Sequence, residues 1–256
     1  MKFIRRILSN RSDLASKSFD TPIAPKIPFY AIGDIHGCDS LLSTLLEKIR
    51  MDDGHSDTHI VFVGDYVDRG EESAAVLRRL YSMSQNPDNK VTCLAGNHED
   101  MMLRFLENPR EHGSRWLRVG GLQTLASFGI TGIMESSSER ALEEARNKLE
   151  EALEEPLLTW LKELSCLWQN GNVAVVHAGA NPDVSINEQT PHIMMWGHRS
   201  FFHRQRKDGV WVVHGHNIVK DATAEDGRVA IDTGAFATGK LTAAHISAKG
   251  VRFIQA

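Results

Sequence analysis

Two aspartates and an arginine, Asp65, Asp68 and Arg69, stand between the glycines of GDYVDRG, residues 64–70, directly after the apolar run His59–Val63. A plain turn needs the glycines and at most one Asp. Four other segments share the pattern of an apolar stretch ending in Gly and in side chains that bind metals. They are AIGDIHG (Asp34, His36), LAGNHED (Asn97, His98, Glu99), VVHAG (His177) and VVHGHN (His214, His216). Taken singly, each is an ordinary turn, helix cap or core histidine. Taken together, five strand ends bearing Asp, His and Asn point to one metal site. In Asp34-Ile35-His36 an extended backbone would aim residues i and i+2 the same way, with Ile35 packing backwards. The set is oxygen and nitrogen without thiolate, which suits Mn, Fe or Zn better than calcium. Seven or eight ligands exceed the needs of one ion, so two ions bridged by a carboxylate are expected.

The elements that must position these residues alternate. FYAIG reads as a buried strand, and Leu41, Leu42, Leu45, Leu46 and Ile49 come next at helical spacing. HIVFVG is a second strand, Val76, Leu77 and Leu80 mark a second helix, and VTCLAG is a third strand. This rhythm predicts a mainly parallel sheet with flanking helices. In open sheets of that kind, the residues past the carboxyl ends of the strands converge on one crevice. Residues 100–165 are polar and helical in pattern, with Leu142, Leu149 and Leu153 on one side and Pro156 opening a further helix. CLWQNGNVAVVHAG then reads as a hairpin about Asn170-Gly171, and three more strand candidates lie beyond it. The expected organisation is one domain over residues 28–256 with a helical insertion at about 100–165, preceded by a loosely ordered basic leader, 1–27.

Composition narrows the class. The chain has 256 residues, 41% hydrophobic, with a net charge of −4 and its charges mixed. No basic stripe indicates nucleic acid. The cysteines, Cys38, Cys93 and Cys166, form no CxxC pair, so neither a zinc knuckle nor a disulfide framework is expected, and a reducing cytoplasm fits best. No segment reaches the roughly 18 apolar residues of a membrane span. His55, His59, His112, His192, His203 and His245 lack the strand-end context and read as packing or surface residues, with His214 in a supporting role.

The order GDIHG, GDYVDRG, GNHED, HAG, GHN resembles the serine/threonine phosphoprotein phosphatases of the PPP type, within the calcineurin-like metallophosphoesterase superfamily, over residues 28–254. GNHEDMM, WLRVGGLQTLASFGI and IDTGAFATGKLTA are similar to the small bacterial and phage members, and the SAPNY loop of eukaryotic relatives is absent. The resemblance implies an α/β fold: a β-sandwich of two mixed sheets flanked by helices. It further implies two divalent ions, Mn first among Mn, Fe, Zn and Mg. Asp34 and His36 would hold one ion, Asn97, His177 and His216 the other, and Asp65 would bridge them. His98 would protonate the leaving oxygen and Asp68 would orient it. Arg69 and Arg199 would grip phosphate, although Arg199 stands three residues after Trp196 where relatives carry an arginine two after the Trp.

The activity so implied is hydrolysis of phosphoserine and phosphothreonine in proteins, with phosphotyrosine as an extension, by attack of a hydroxide bridging the two ions. Two alternatives stand beside it. A symmetrical dinucleoside-tetraphosphate hydrolase shares the site plan, but its bacterial forms resemble GDLVARGP, which Asp68 and the missing Pro disfavour. A non-catalytic phosphopeptide-binding scaffold would lack a ligand or the acid, and none is lacking here. Cys38 comes soon after His36, yet the HCX5R-type loop of a cysteine phosphatase is missing.

Overall fold

The computed structural model describes residues 19–52 and 58–256. Two five-stranded mixed sheets face each other, and helices cover their outer sides. The first sheet contains β1 (Phe29–Ile32), β2 (His59–Phe62), β3 (Val91–Cys93), β9 (Thr242–Ser247) and β10 (Gly250–Gln255), in the order β10-β9-β1-β2-β3. The second contains β4 (Trp168–Asn170), β5 (Val173–Val175), β6 (Trp211–His214), β7 (Thr223–Glu225) and β8 (Arg228–Ala230), in the order β4-β5-β6-β8-β7. The strand–helix rhythm accounts only for β1, β2 and β3, which are parallel as expected. The two-sheet sandwich implied by the family resemblance is what the chain forms.

Period-two alternation explains why both faces of these strands are apolar. Phe29, Ala31, Val61 and Val63 point between the sheets, where they meet Val173, Val175, Val213, Val229 and Ile231. Tyr30, Ile32 and Phe62 point the other way, into a second core. That core is closed by α1 (Asp39–Asp52) and α2 (Ser73–Gln85), which bury Leu42, Leu45 and Ile49, and Val76, Leu77 and Leu80.

The helical insertion comprises α3 (Asn97–Glu107), α4 (Pro109–Trp116), α5 (Leu122–Ser127) and α6 (Glu139–Lys162). α6 buries Leu142, Leu149 and Leu153 on one face. It breaks at Glu154, where φ is 60°, and Pro156 falls in the first turn of its second segment. After the second sheet begins come α7 (Pro191–Trp196) and the single-turn α8 (Ala235–Thr238).

Residues 19–27 depart from the loosely ordered leader expected over 1–27. Asn172 accepts from the Ala24 N–H at 2.7 Å and Asn170 from Lys26 at 2.9 Å, so the segment is strapped to the β4–β5 hairpin. Residues 1–18, and His55, lie outside the described residues.

Candidate active site

Within each sheet three neighbouring strands run parallel: β1, β2 and β3 in the first, β5, β6 and β8 in the second. Asp34, Asp65, Asn97, His177 and His216 each lie just past the carboxyl end of one of these strands, and they meet at one edge of the sandwich. Asp34 receives the His216 N–H from the opposite sheet at 2.9 Å, and Asn97 Oδ1 lies 2.9 Å from His177 Nε2 and 2.7 Å from His216 Nδ1.

The turns that carry these residues are strained. His36, Asp65, Asp68, Arg69 and His216 all have left-handed backbones, with φ between 44° and 72°. They are five of the seven non-glycine residues with positive φ among the described residues. Such conformations cost on the order of 1–3 kcal/mol each and persist only where surroundings enforce them. The His36 turn corrects the extended Asp34-Ile35-His36 expected from the sequence. The Ile35 and His36 N–H groups both donate to the Asp65 carbonyl, at 3.1 and 2.9 Å, so the β1 and β2 loops hold each other in shape. Ile35 is fully buried, as expected. Two glycines permit the close approach: a Cβ on Gly96 would stand 2.3 Å from Asp65 Oδ1, and one on Gly215 would stand 1.8 Å from Asp34 Oδ1.

Asp65 joins two groups of potential ligands, His36–Asp65–His98 and Asp65–His177–His216. Its Oδ2 lies 3.5 Å from His36 Nε2 and 3.9 Å from His98 Nε2, and its Oδ1 lies 3.3 Å from His177 Nε2. His36 Nδ1 is 2.8 Å from the Val67 carbonyl and His177 Nδ1 is 3.1 Å from that of Val63. Each of these Nδ1 atoms therefore carries the proton, which leaves Nε2 as the ligand atom, the usual outer support of a metal-binding histidine. Burial pushes His36 down to about 3 against the pull of Asp65, so its imidazole is neutral, the form an ion requires. At His177 burial is outweighed by Asp65 and the value rises to about 9. Asp34 is driven well above the carboxylate range by burial and by Asp232. Three buried carboxylates so close together draw positive charge, and with this O/N set the residues fit a pair of divalent ions.

His98 opens α3 and is buried. Its Nδ1 lies 2.6 Å from Asp68 Oδ2, so Nε2 is the nitrogen that faces Asp65 and Arg69. Burial works against its charge, but Asp65 and Asp68 outweigh it, and its pKa is raised. Asp68 is held by the insertion: it accepts from Trp116 Nε1 at 3.0 and 3.1 Å and from Thr124 Oγ1 at 2.7 Å. Between Trp116 and Thr124 the chain kinks at Gly120, whose φ is 128°. A Cβ on Gly120 would meet Arg69 N at 2.5 Å and Asp68 Cβ at 2.8 Å, so only glycine admits this approach. Arg69 is half-buried, with its guanidinium 4.7 Å above the Phe236 ring and Nη2 3.4 Å from His98 Nε2.

Arg199 is exposed in the turn after α7 and makes no hydrogen bond or ion pair among the described residues. His214 turns toward Phe201 and Phe202, with ring centroids at 5.0 and 5.5 Å, on the outer side of the second sheet. Cys38 is a poor nucleophile, since burial raises its thiol to about 11.

Sequence reasoning missed four contributors: Trp116 and Thr124 in the insertion, Asp232 after β8, and the part played by Glu99. Glu99 is fully buried and accepts from the N–H groups of Asp65, Tyr66 and Gly96, at 2.8, 2.8 and 2.9 Å. It thereby shapes the Asp65 turn. The signal was its place three residues into α3, where a Glu reaches back to the helix start. Glu99→Ala leaves several buried N–H groups unsatisfied, each at about 1–3 kcal/mol. The expected result is a lower melting temperature and metal affinity reduced by roughly 10–100-fold, read by thermal denaturation and metal titration. Unchanged affinity would free the Asp65 turn from dependence on Glu99.

The sequence profile of calcineurin-like phosphoesterases matches residues 27–220. The chain is 29% identical over 234 residues to the bis(5'-nucleosyl)-tetraphosphatase PrpE (asymmetrical) of Oceanobacillus iheyensis, covering 83% of this chain and 86% of that protein. It is 29% identical over 161 residues to the symmetrical bis(5'-nucleosyl)-tetraphosphatase of Pseudomonas putida, but spans only 44% of that protein's length. Among solved structures, one assigned provisionally to a diadenosine tetraphosphatase superposes with a TM-score of 0.61 at 18% identity, covering 92% of this chain and 97% of the other. A cold-active protein-tyrosine phosphatase from a Shewanella species gives 0.59 at 16% identity, covering 92% and 82%.

Proposed function

We propose, given that the chain belongs to the calcineurin-like phosphoesterase family, that it is a metal-dependent hydrolase of dinucleoside polyphosphates which cleaves asymmetrically. The observation that carries the hydrolytic reading is the Asp65 carboxylate, whose two oxygens each face a separate imidazole group. What supports the substrate is the near end-to-end likeness to proteins named asymmetrical bis(5'-nucleosyl)-tetraphosphatases. This departs from the expectation from the sequence, where a phosphoprotein phosphatase stood first and the dinucleotide alternative was a symmetrical hydrolase. Asp68, with the missing Pro, was the discriminator there, but Asp68 is buried and bonded to His98, a role that serves any leaving oxygen.

Asp34 and His36 would hold one ion and Asn97, His177 and His216 the other, with Asp65 between them. When bound, the ions supply a nucleophile from water near neutral pH and offset charge on phosphate. Arg69, braced by Phe236, takes phosphate oxygens in its planar fork. Arg199, on its exposed turn, adds a second cation when substrate enters. His98, oriented by Asp68, gives its Nε2 proton to the departing oxygen. The three cysteines are free, which supports a reducing cytoplasmic location. No described helix is long and apolar enough to cross a membrane.

The test is a panel of diadenosine tetraphosphate, p-nitrophenyl phosphate and a phosphopeptide, offered to manganese-loaded protein with products separated. Expected are a kcat/KM for the dinucleotide at least about tenfold above the others, and AMP with ATP as products. ADP alone would move the attack to the centre of the chain. A preference for the phosphopeptide would restore the protein phosphatase, and turnover of none would leave the scaffold.

A further inference from the structure

A cleft of about 150 Å³ opens between α3, α4 and α7, outside the cluster of metal-type ligands. Its floor is apolar, from Met101 and Trp116, both buried. Its rim is aromatic and cationic. Trp196 is half-exposed, and its Nε1 is fixed at 3.0 Å from Asp100 Oδ2. The exposed ring of His192 lies 6.1 Å from it at an interplanar angle of 25°. The exposed Arg115 guanidinium sits 5.3 Å over the same indole, and Arg115 makes no ion pair among the described residues. Arg104, ion-paired with Asp100 at 3.0 Å, and His112 complete the rim. His192, read from the sequence as a packing or surface residue, is thus part of a stacking platform.

Position decides what this platform is for. Trp116 forms the floor and also donates to Asp68, the residue bonded to His98. Met101 lies one turn along α3 from His98. The cleft is therefore on the side of the acid, where the leaving group departs. Pockets that enclose a whole ligand run to roughly 300–1,000 Å³, so this space suits one ring system and not a complete nucleotide. A flat base stacked on indole, with the Arg115 guanidinium beside it for an adjoining phosphate, fits this rim.

We propose that this cleft is the nucleobase subsite for the leaving nucleotide. The inference rests on the dinucleotide reading of the function. Trp196 is the stacking surface, His192 flanks the base, and Arg115 steers the phosphates between base and reaction centre.

The experiment compares wild type, Trp196→Leu and Trp196→Phe on diadenosine tetraphosphate and on p-nitrophenyl phosphate, which has no base. Stacking on an aromatic side chain is worth about 1–3 kcal/mol per base, or about 5- to 150-fold. The ratio of kcat/KM for the dinucleotide to that for the aryl ester should fall by that factor in the Leu variant, through KM, and largely recover in the Phe variant. AMP should also bind the wild-type protein more tightly than ribose 5-phosphate in calorimetry, and the Leu variant should lose the difference. An unchanged ratio, or loss of both substrates together in a protein with native circular dichroism, overturns the subsite. A wild type inactive on the dinucleotide overturns the substrate reading instead, and equal binding of AMP and ribose 5-phosphate then removes the subsite as well.

Discussion

Asp65→Asn abolishes metal binding and turnover together. Both oxygens of Asp65 are committed: Oδ2 faces His36 and His98, and Oδ1 faces His177 while accepting the His98 N–H at 3.0 Å. An amide has one acceptor and must turn its NH₂ toward one of these imidazole groups. It also loses the charge that holds His177 up at about 9. Supporting residues of metal sites cost about 10–100-fold in affinity when changed, so a shared ligand should cost more than roughly 100-fold. The near-isosteric side chain leaves packing intact, which circular dichroism would verify. Elemental analysis after gel filtration, alongside kcat, reads the result. Full metal content with no activity would mean that Asp65 serves chemistry without serving as a ligand.

His98→Asn gives the second large effect, with the opposite signature. The six residues assigned to the ions remain, and the amide N–H can still reach Asp68, which would otherwise be left with one fewer donor in a buried site. Metal content therefore stays near wild type while kcat falls by about 10²–10⁴-fold, the range for a positioned general acid. The fall should shrink as the leaving group improves, because a good leaving group needs no proton. A series of aryl phosphates from phenyl to p-nitrophenyl measures this. An equal loss across the series would remove His98 from the proton-transfer role, and a fall in metal content would make it a further ligand beside His36 and Asp65.

The residues that gather at the centre were legible because each sits in a short glycine-punctuated segment after an apolar run, and strands place such segments at a common edge. Backbone shape was less legible. A two-residue spacing suggested extended geometry for Asp34–His36, but the hydrogen bonds that force His36 to a φ of 44° come from Asp65, 29 residues or more away in the chain. Tertiary pairing overrode the local expectation. Trp116 and Thr124 were hidden for a related reason: they lie in a polar helical stretch whose pattern reports burial, not what a single indole N–H reaches. Asp232, inside IDTGAF, carried no signal of a role, since one Asp before a glycine turn has no distinguishing type. The segment 19–27 looked like a leader because its partners, Asn170 and Asn172, are about 145 residues further on. Substrate choice was least legible of all, because a buried acid–orienter pair does the same work for esters and anhydrides.

The division of the ligands between layers has a mechanical meaning. Asp34, His36, Asp65 and Asn97 belong to the β1–β3 layer, and His177 and His216 to the β5–β6 layer. Ions seated among them would tie the two layers together, and at 100 times their dissociation constant would stabilise the folded state by about 2.7 kcal/mol. Catalytic competence and mechanical cohesion would then share a single fastener, so that a chelator loosens the seam between layers before it disturbs the helices outside.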